Sequence, residues 1–196
     1  MFTGSLKNVV RVGFLGAMAG LLTLHETPIL MSAPFLKWDP GDIPALIGGF
    51  AMGPLAGVAI QGLRAVVFQL TGKNATGIVG LSAMFLAGSV LTFTSSLIYK
   101  RFHTRAGAVA SLAVGSVAMT AVMLLANKFV FLPLWGVPAD QGTKLLVSAV
   151  LPFNLLKGAI SSGLTFLLYK KTCVLLGLKP VPDGHVKQPE EARVQT

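Results

Sequence analysis

The chain has 196 residues, of which 53% are hydrophobic and only 12% charged, with a mean hydropathy of +0.73. A soluble domain carries about twice that charged fraction, so these proportions define an integral membrane protein built as one bundle. The formal net charge of +9 does not indicate nucleic acid, because the cations lie between apolar runs, where membrane topology accounts for them.

Six apolar runs follow in order: Val9–Leu24, Ile43–Met52, Leu55–Leu70, Ile78–Tyr99, Ala106–Leu134 and Leu145–Leu176. A spanning helix needs roughly 20 apolar residues, and the expected fold is an all-α bundle of six membrane helices over residues 1–177. The first run follows Lys7 and Arg11 as in a signal peptide, but no clean cleavage site comes after it, so it is read as a retained span. It carries Gly13/Ala17 and Gly16/Gly20, two small-xxx-small pairs that let another helix approach closely, from within the bundle or from another subunit. The stretch His25–Pro54 is too apolar for a simple solvent loop, and Phe35, Leu36 and Trp38 suit a lid that excludes water. The second run is short and needs shelter from its neighbours. Gly53 and Pro54 separate it from the third, with the proline suited to a first helical position.

Thr71–Gly77 reads as a polar turn, Tyr99–Gly107 as a basic loop and Trp135–Lys144 as a turn containing Pro138 and Gly142. Cys173 is the one cysteine, which excludes an intramolecular disulfide and a cysteine-based zinc cluster; it is expected to pack against lipid or protein. Residues 178–196 are polar and proline-containing, and read as a disordered tail.

Lysine and arginine set the orientation. With both termini cytoplasmic, the inside holds Lys7, Arg11, Lys100, Arg101, Arg105, Lys170, Lys171, Lys179, Lys187 and Arg193, against Lys37, Lys73 and Lys144 outside. This asymmetry satisfies the positive-inside rule for a multi-pass protein of a cell membrane. Glu26, Asp39, Asp42 and Asp140 all fall outside.

Arg64, Lys128 and Lys157 lie within the runs. A cation at a helix centre costs about 2.5–3.5 kcal/mol on insertion scales, so each must snorkel, pair or face a polar cavity. Topology puts Gln61, Arg64, Asn127, Lys128, Asn154 and Lys157 at a similar depth towards the outside. Asn154 and Lys157 share a helix face, and Pro152 opens the backbone beside them. This pair is the strongest candidate for ligand contact. No pair of acids is expected inside the membrane, which argues against an ion-coupled carrier. No P-loop, zinc-protease motif or metal-ligand cluster is present. The expectation is therefore a transport protein with no enzyme activity, metal or cofactor, which captures a ligand outside and borrows energy from partners.

The strings "FLKWDPGDIPALIGGFAMGPLAG", "NKFVFLPLWG" and "LPFNLLKG" resemble the S components of energy-coupling factor (ECF) vitamin transporters, riboflavin type, over roughly residues 10–172. The resemblance implies a six-helix bundle that binds a vitamin from outside and associates with a membrane T component and two cytoplasmic ATPases. It implies contacts to riboflavin from Asn127, Asn154 and Lys157, with apolar walls from Phe35, Leu36, Leu46 or Met84. It also implies docking on the T component through the Gly13, Gly16, Ala17 and Gly20 face of the first helix. Where the family resembles "GEFANFLAG" this chain has "GLSAMFLAG", so Leu81 and Met84 replace an acid and an amide, and Lys128 is a candidate compensating donor. The alternatives are an S component for another vitamin or aromatic metabolite, or a self-sufficient small carrier.

Overall fold

Apolar runs punctuated by glycine and proline become helices close to their expected bounds. The computed structural model describes residues 6–175; the expected tail lies outside them, as does the side chain of Cys173. In chain order the elements are α1 (Leu6–Leu22), the two-residue strands β1 (Thr27–Pro28) and β2 (Lys37–Trp38), α2 (Asp42–Met52), α3 (Pro54–Leu70), α4 (Gly77–Tyr99) and α5 (Arg105–Ala126). A π-helical turn at Asn127–Phe131 and a short α6 (Leu132–Leu134) extend α5. Then come α7 (Ala139–Leu145), a second π turn at Leu146–Val150, and α8 (Leu151–Leu175).

Among the described residues, three continuous helical stretches are long and apolar enough to cross a membrane: Gly77–Tyr99, Arg105–Leu134 and Ala139–Thr172. Asp42–Met52 and Pro54–Leu70 are shorter apolar helices. Between them Gly53 takes φ of 102°, a conformation glycine adopts without steric cost, and Pro54 opens α3 at its first position. The reversal is thus achieved in one residue.

One local reading needs correction. The segment after Trp135 is a turn only as far as Pro138; Ala139–Leu145 is the helix α7. Within the loop between α1 and α2, β1 and β2 pair antiparallel with Thr27 opposite Trp38 and Pro28 opposite Lys37.

Helix α1 packs on α3, α3 on α4, α4 on α5 and α5 on α8, while α2 is enclosed by its neighbours. Every residue of α2 from Asp42 to Phe50 is buried, which is how so short a helix is sheltered. The largest core cluster joins Ile43, Leu46, Ile47 and Phe50 of α2 to Leu91, Leu112, Met119 and Met123. At one end of the bundle Phe50 stacks on Tyr99 with ring centroids 4.3 Å apart, and Tyr169 meets both edge-on. Towards the opposite end lies a cleft lined by α4, α5 and its extension, α8 and the loop before α2.

The small residues of α1 divide between two faces. Gly16 and Gly20 are buried, and a Cβ on either would lie 2.5 Å from the Cβ of Leu63 or of Val67 on α3. Their role is packing within the bundle, so Gly16 and Gly20 leave the expected docking face. Gly13 and Ala17 are exposed beside Val10, Phe14 and Leu21.

Candidate functional site

The site is built around ion pairs that the chain's topology conceals. Asp39 follows β2, and its carboxylate accepts the Gly41 N–H at 2.8 Å, closing the turn that starts α2. Asp42 occupies the first turn of α2. Arg64 crosses from α3 to hold both: its Nη2 lies 2.7 and 2.9 Å from the two oxygens of Asp39, and its Nη1 donates to Asp42 Oδ1. Its remaining hydrogens go to Thr23 Oγ1 at 2.9 Å and Gln61 Oε1 at 2.8 Å. Gln61, one turn earlier on α3, donates to Asp42 at 3.0 Å. Lys157 reaches from α8 to Asp42 Oδ2 at 2.8 Å and stands 3.7 Å from Asp39 Oδ2.

Two acids therefore face two cations, with no exposure at all for Arg64 and Asp42. Buried charges are tolerated when paired and hydrogen-bonded, and the planar guanidinium fork is suited to bridging two carboxylates. Backbone space is part of the design. A Cβ on Gly41 would lie 2.6 Å from Arg64 Nε, and one on Gly88 2.5 Å from Gln61 Nε2.

The expectation that no pair of acids lies within the bundle is overturned for Asp39 and Asp42. Both are buried among the helices, so the absence of buried acids no longer argues against an ion-coupled carrier. Arg64 pairs with them rather than snorkelling.

The loop that carries Asp39 is tied down at two further points. Lys37 pairs with Glu26 at 3.2 Å across the hairpin, and Trp38 Nε1 donates to Ser161 Oγ on α8 at 3.1 Å. Beside this ion cluster lies a cleft of about 770 Å³, counting its open mouth. Lys157, Asn154 and Phe153 of α8, Asn127 and Met123 of α5 and its extension, Met84 and Ala87 of α4, Trp135, and Phe35 and Leu36 of the loop all line it. Ligand sites commonly combine such apolar walls with a few convergent polar groups.

Both asparagines are buried at irregularities in their helices. Asn127 begins the first π turn and donates to Met123 O at 2.8 Å. Asn154 follows the second π turn and donates to Val150 O at 2.8 Å. An asparagine so anchored retains a second amide hydrogen and a carbonyl oxygen in fixed orientation. Pro152 has no N–H for Ser148 O, and the turn before it is wound wide. The opening expected at Pro152 thus takes the form of a π turn, a feature frequent at functional sites.

Among the sequence candidates, Asn127, Asn154, Lys157, Met84, Phe35 and Leu36 come together at the cleft. Three do not. Lys128 is exposed, with Nζ 5.3 Å from the Phe129 ring centroid; adjacent helical residues point about 100° apart, so it cannot share Asn127's direction. Leu81 is half-buried but absent from the lining, where its neighbours Gly80, Ala83 and Met84 stand. Leu46 is fully buried in the core on α2. Sequence reasoning missed Asp39, Thr23, Trp135 and Phe153. The signal available for Asp39 was two buried cations in need of acids and two acids in an apolar loop.

A polar-ended cleft closed on one side by an ordered loop, in a bundle of apolar helices, defines a membrane protein that binds a small molecule. The family model for the ECF transporter substrate-specific component matches residues 7–169, and the chain belongs to that family. It is thus a transport component and not an enzyme. The riboflavin transporter RibU of Staphylococcus aureus is 33% identical over 171 residues, which cover 84% of this chain and 89% of that one. The riboflavin transporter FmnP of Bacillus subtilis is 31% identical over 174 residues, covering 85% and 92%. A solved S component of a bacterial ECF transporter superposes with a TM-score of 0.75 at 32% identity, covering 87% of this chain and 97% of that one.

Proposed function

We propose that this S component captures riboflavin or a close flavin relative from the outside and releases it inward when coupled to a membrane T component and two ATPases. The observation that carries this reading is the convergence of Asn127, Asn154 and Lys157 on a cleft walled by Phe35, Leu36, Met84, Trp135 and Phe153. An isoalloxazine ring presents carbonyl acceptors and an imide N–H along one edge. Asparagine supplies a donor and an acceptor together, and lysine donates to carbonyl or ribityl oxygens. The apolar walls suit the faces of a flat ring. Met84 contributes to those walls where the riboflavin-type pattern carries an amide, so this cleft grips the ring with fewer polar contacts.

Six spans cross the membrane in this reading: α1, α2, α3, α4, α5 with its extension, and α7 with α8. The start of α1 and the end of α8 share the cytoplasmic side with Lys100, Arg101, Arg105, Lys170 and Lys171, in keeping with the positive-inside rule. The exposed face of α1 around Gly13 and Ala17, flanked by Val10, Phe14 and Leu21, is where the T component docks. Energy comes from the ATPases in this reading, in keeping with the pairing of both acids buried among the described residues, Asp39 and Asp42, with Arg64 or Lys157.

Uptake of radiolabelled riboflavin in cells lacking their own importer tests this. Uptake is expected only when the chain is co-expressed with T component and ATPases. Ion-gradient-driven uptake in vesicles containing this chain alone would overturn the reading.

A further inference from the structure

The loop between α1 and α2 walls the cleft with Phe35 and Leu36, so whatever fastens those side chains controls how readily a ligand leaves. The base of the loop rests on the ion cluster. Thr23 Oγ1 lies 3.1 Å from Asp39 Oδ1, and Arg64 donates to both residues, which ties the exit from α1 to the entry into α2. The tip is shaped by two tight turns, with the Ala33 N–H donating to Leu30 O at 3.1 Å and the Leu36 N–H to Ala33 O at 3.0 Å. Both bonds lie within the loop and leave it unattached to the helices.

Two side-chain contacts stand between base and tip. Lys37 meets Glu26 at 3.2 Å, but both belong to the loop, and their side chains are 37% and 29% exposed. Such a pair is weak in water and joins the loop only to itself. Trp38 Nε1 donates to Ser161 Oγ at 3.1 Å, and this bond joins the loop to α8. Ser161 has no exposure. The indole N–H can only donate, and away from water it needs an acceptor. Phe153, Lys157 and Ser161 follow one another at i, i+4 and i+8, so they share one face of α8. The helix face that presents Phe153 and Lys157 to the cleft therefore also fastens the loop that covers it.

We propose that Trp38 and Ser161 form the latch that holds Phe35 and Leu36 over the cleft and so set how long its ligand stays bound. Neither Trp38 nor Ser161 lines the cleft; they are positioning residues that act through Phe35 and Leu36. The part of this that concerns riboflavin rests on the flavin reading above. Loss of one neutral hydrogen bond shifts the balance between fastened and free loop roughly 2–12-fold.

Hydrogen exchange of the ligand-free, detergent-purified full chain tests the latch separately from the flavin reading. Peptides spanning residues 29–36 are expected to exchange roughly 2–12-fold faster in Ser161→Ala and in Trp38→Phe, with α5 unchanged. The double variant should exchange no faster than either single variant, because one bond is lost in all three. Ser161→Thr keeps the hydroxyl and should match the parent. Riboflavin release, followed by stopped-flow fluorescence, should quicken by the same factor without slower association. Damage to the fold would instead spread faster exchange into α5 and slow association. Unchanged exchange in both single variants, additive effects in the double variant, or failure of Ser161→Thr to match the parent would overturn the assignment. So would faster exchange with unchanged release. Exchange that quickens with added salt but ignores both substitutions would place the fastening at Lys37 and Glu26 instead. Absence of riboflavin binding in the parent would overturn the flavin reading alone, since exchange is measured without ligand.

Discussion

Replacing Arg64 by Met removes the cation that bridges Asp39 and Asp42 while keeping most of the side chain's length. Five hydrogen-bonding contacts disappear, three of them to carboxylates. Lys157 still reaches Asp42 at 2.8 Å, but its distance to Asp39 is 3.7 Å, so Asp39 is left as a buried anion with neutral hydrogen-bond donors and one cation standing beyond hydrogen-bond distance. Breaking a buried ion pair from one side costs about 3–5 kcal/mol. For a chain of this size each kcal/mol moves the melting point by about 2–4 °C, so the expected fall is roughly 6–20 °C. Thermal unfolding in detergent, followed by intrinsic fluorescence with the ligand absent, measures it. Arg64→Lys retains the charge but loses the fork, and should fall between. The double variant Arg64→Met/Asp39→Leu removes the stranded anion as well, and should recover part of the loss, a coupling visible in a double-mutant cycle. A melting point for Arg64→Met within 2 °C of the parent, or no recovery in the double variant, would refute the account of Asp39 as an anion dependent on Arg64.

Asn127→Ala and Asn154→Ala should each weaken riboflavin binding by roughly 2–15-fold, the worth of about 0.5–1.5 kcal/mol for a neutral hydrogen bond, while Lys128→Ala should leave affinity within twofold; calorimetric titration reads all three. Gly20→Leu should lower the melting point, because its side chain meets Val67 and the Arg64 carbonyl. Gly13→Leu should leave melting unchanged and instead reduce co-purification with the T component, since nothing within 4 Å opposes a Cβ there. Gly88→Val should displace the Gln61 amide and lower stability, by less than Arg64→Met does.

Helix positions were legible because apolar runs and their breaks are local. Pro54 after Gly53 defines the α2–α3 reversal, and the polar Thr71–Gly77 turn separates α3 from α4. The candidate pocket was legible in outline because depth follows from counting along each helix, which brought Asn127, Asn154 and Lys157 to one level. Direction around a helix was the weaker inference. Asn127 and Lys128 have the same depth but point apart, and Leu46 faces the core rather than the cleft. The ion cluster was illegible because its members are 22, 25 and 115 residues apart in sequence. Asp39 and Asp42 read as acids of the outside loop, with no pairing expected inside the bundle, when judged by their loop alone. The split of α1 was hidden for the same reason: Gly13/Ala17 and Gly16/Gly20 are identical patterns until Leu63 and Val67 are placed against one of them.

The most direct measurement is a fluorescence-quenching titration of riboflavin into the purified, detergent-solubilised chain without T component or ATPases, alongside Asn154→Ala and Lys157→Ala. The cleft predicts saturable binding at one riboflavin per chain, weakened in both variants. Absence of saturable quenching in folded protein, or equal affinity in the parent and both variants, would contradict it.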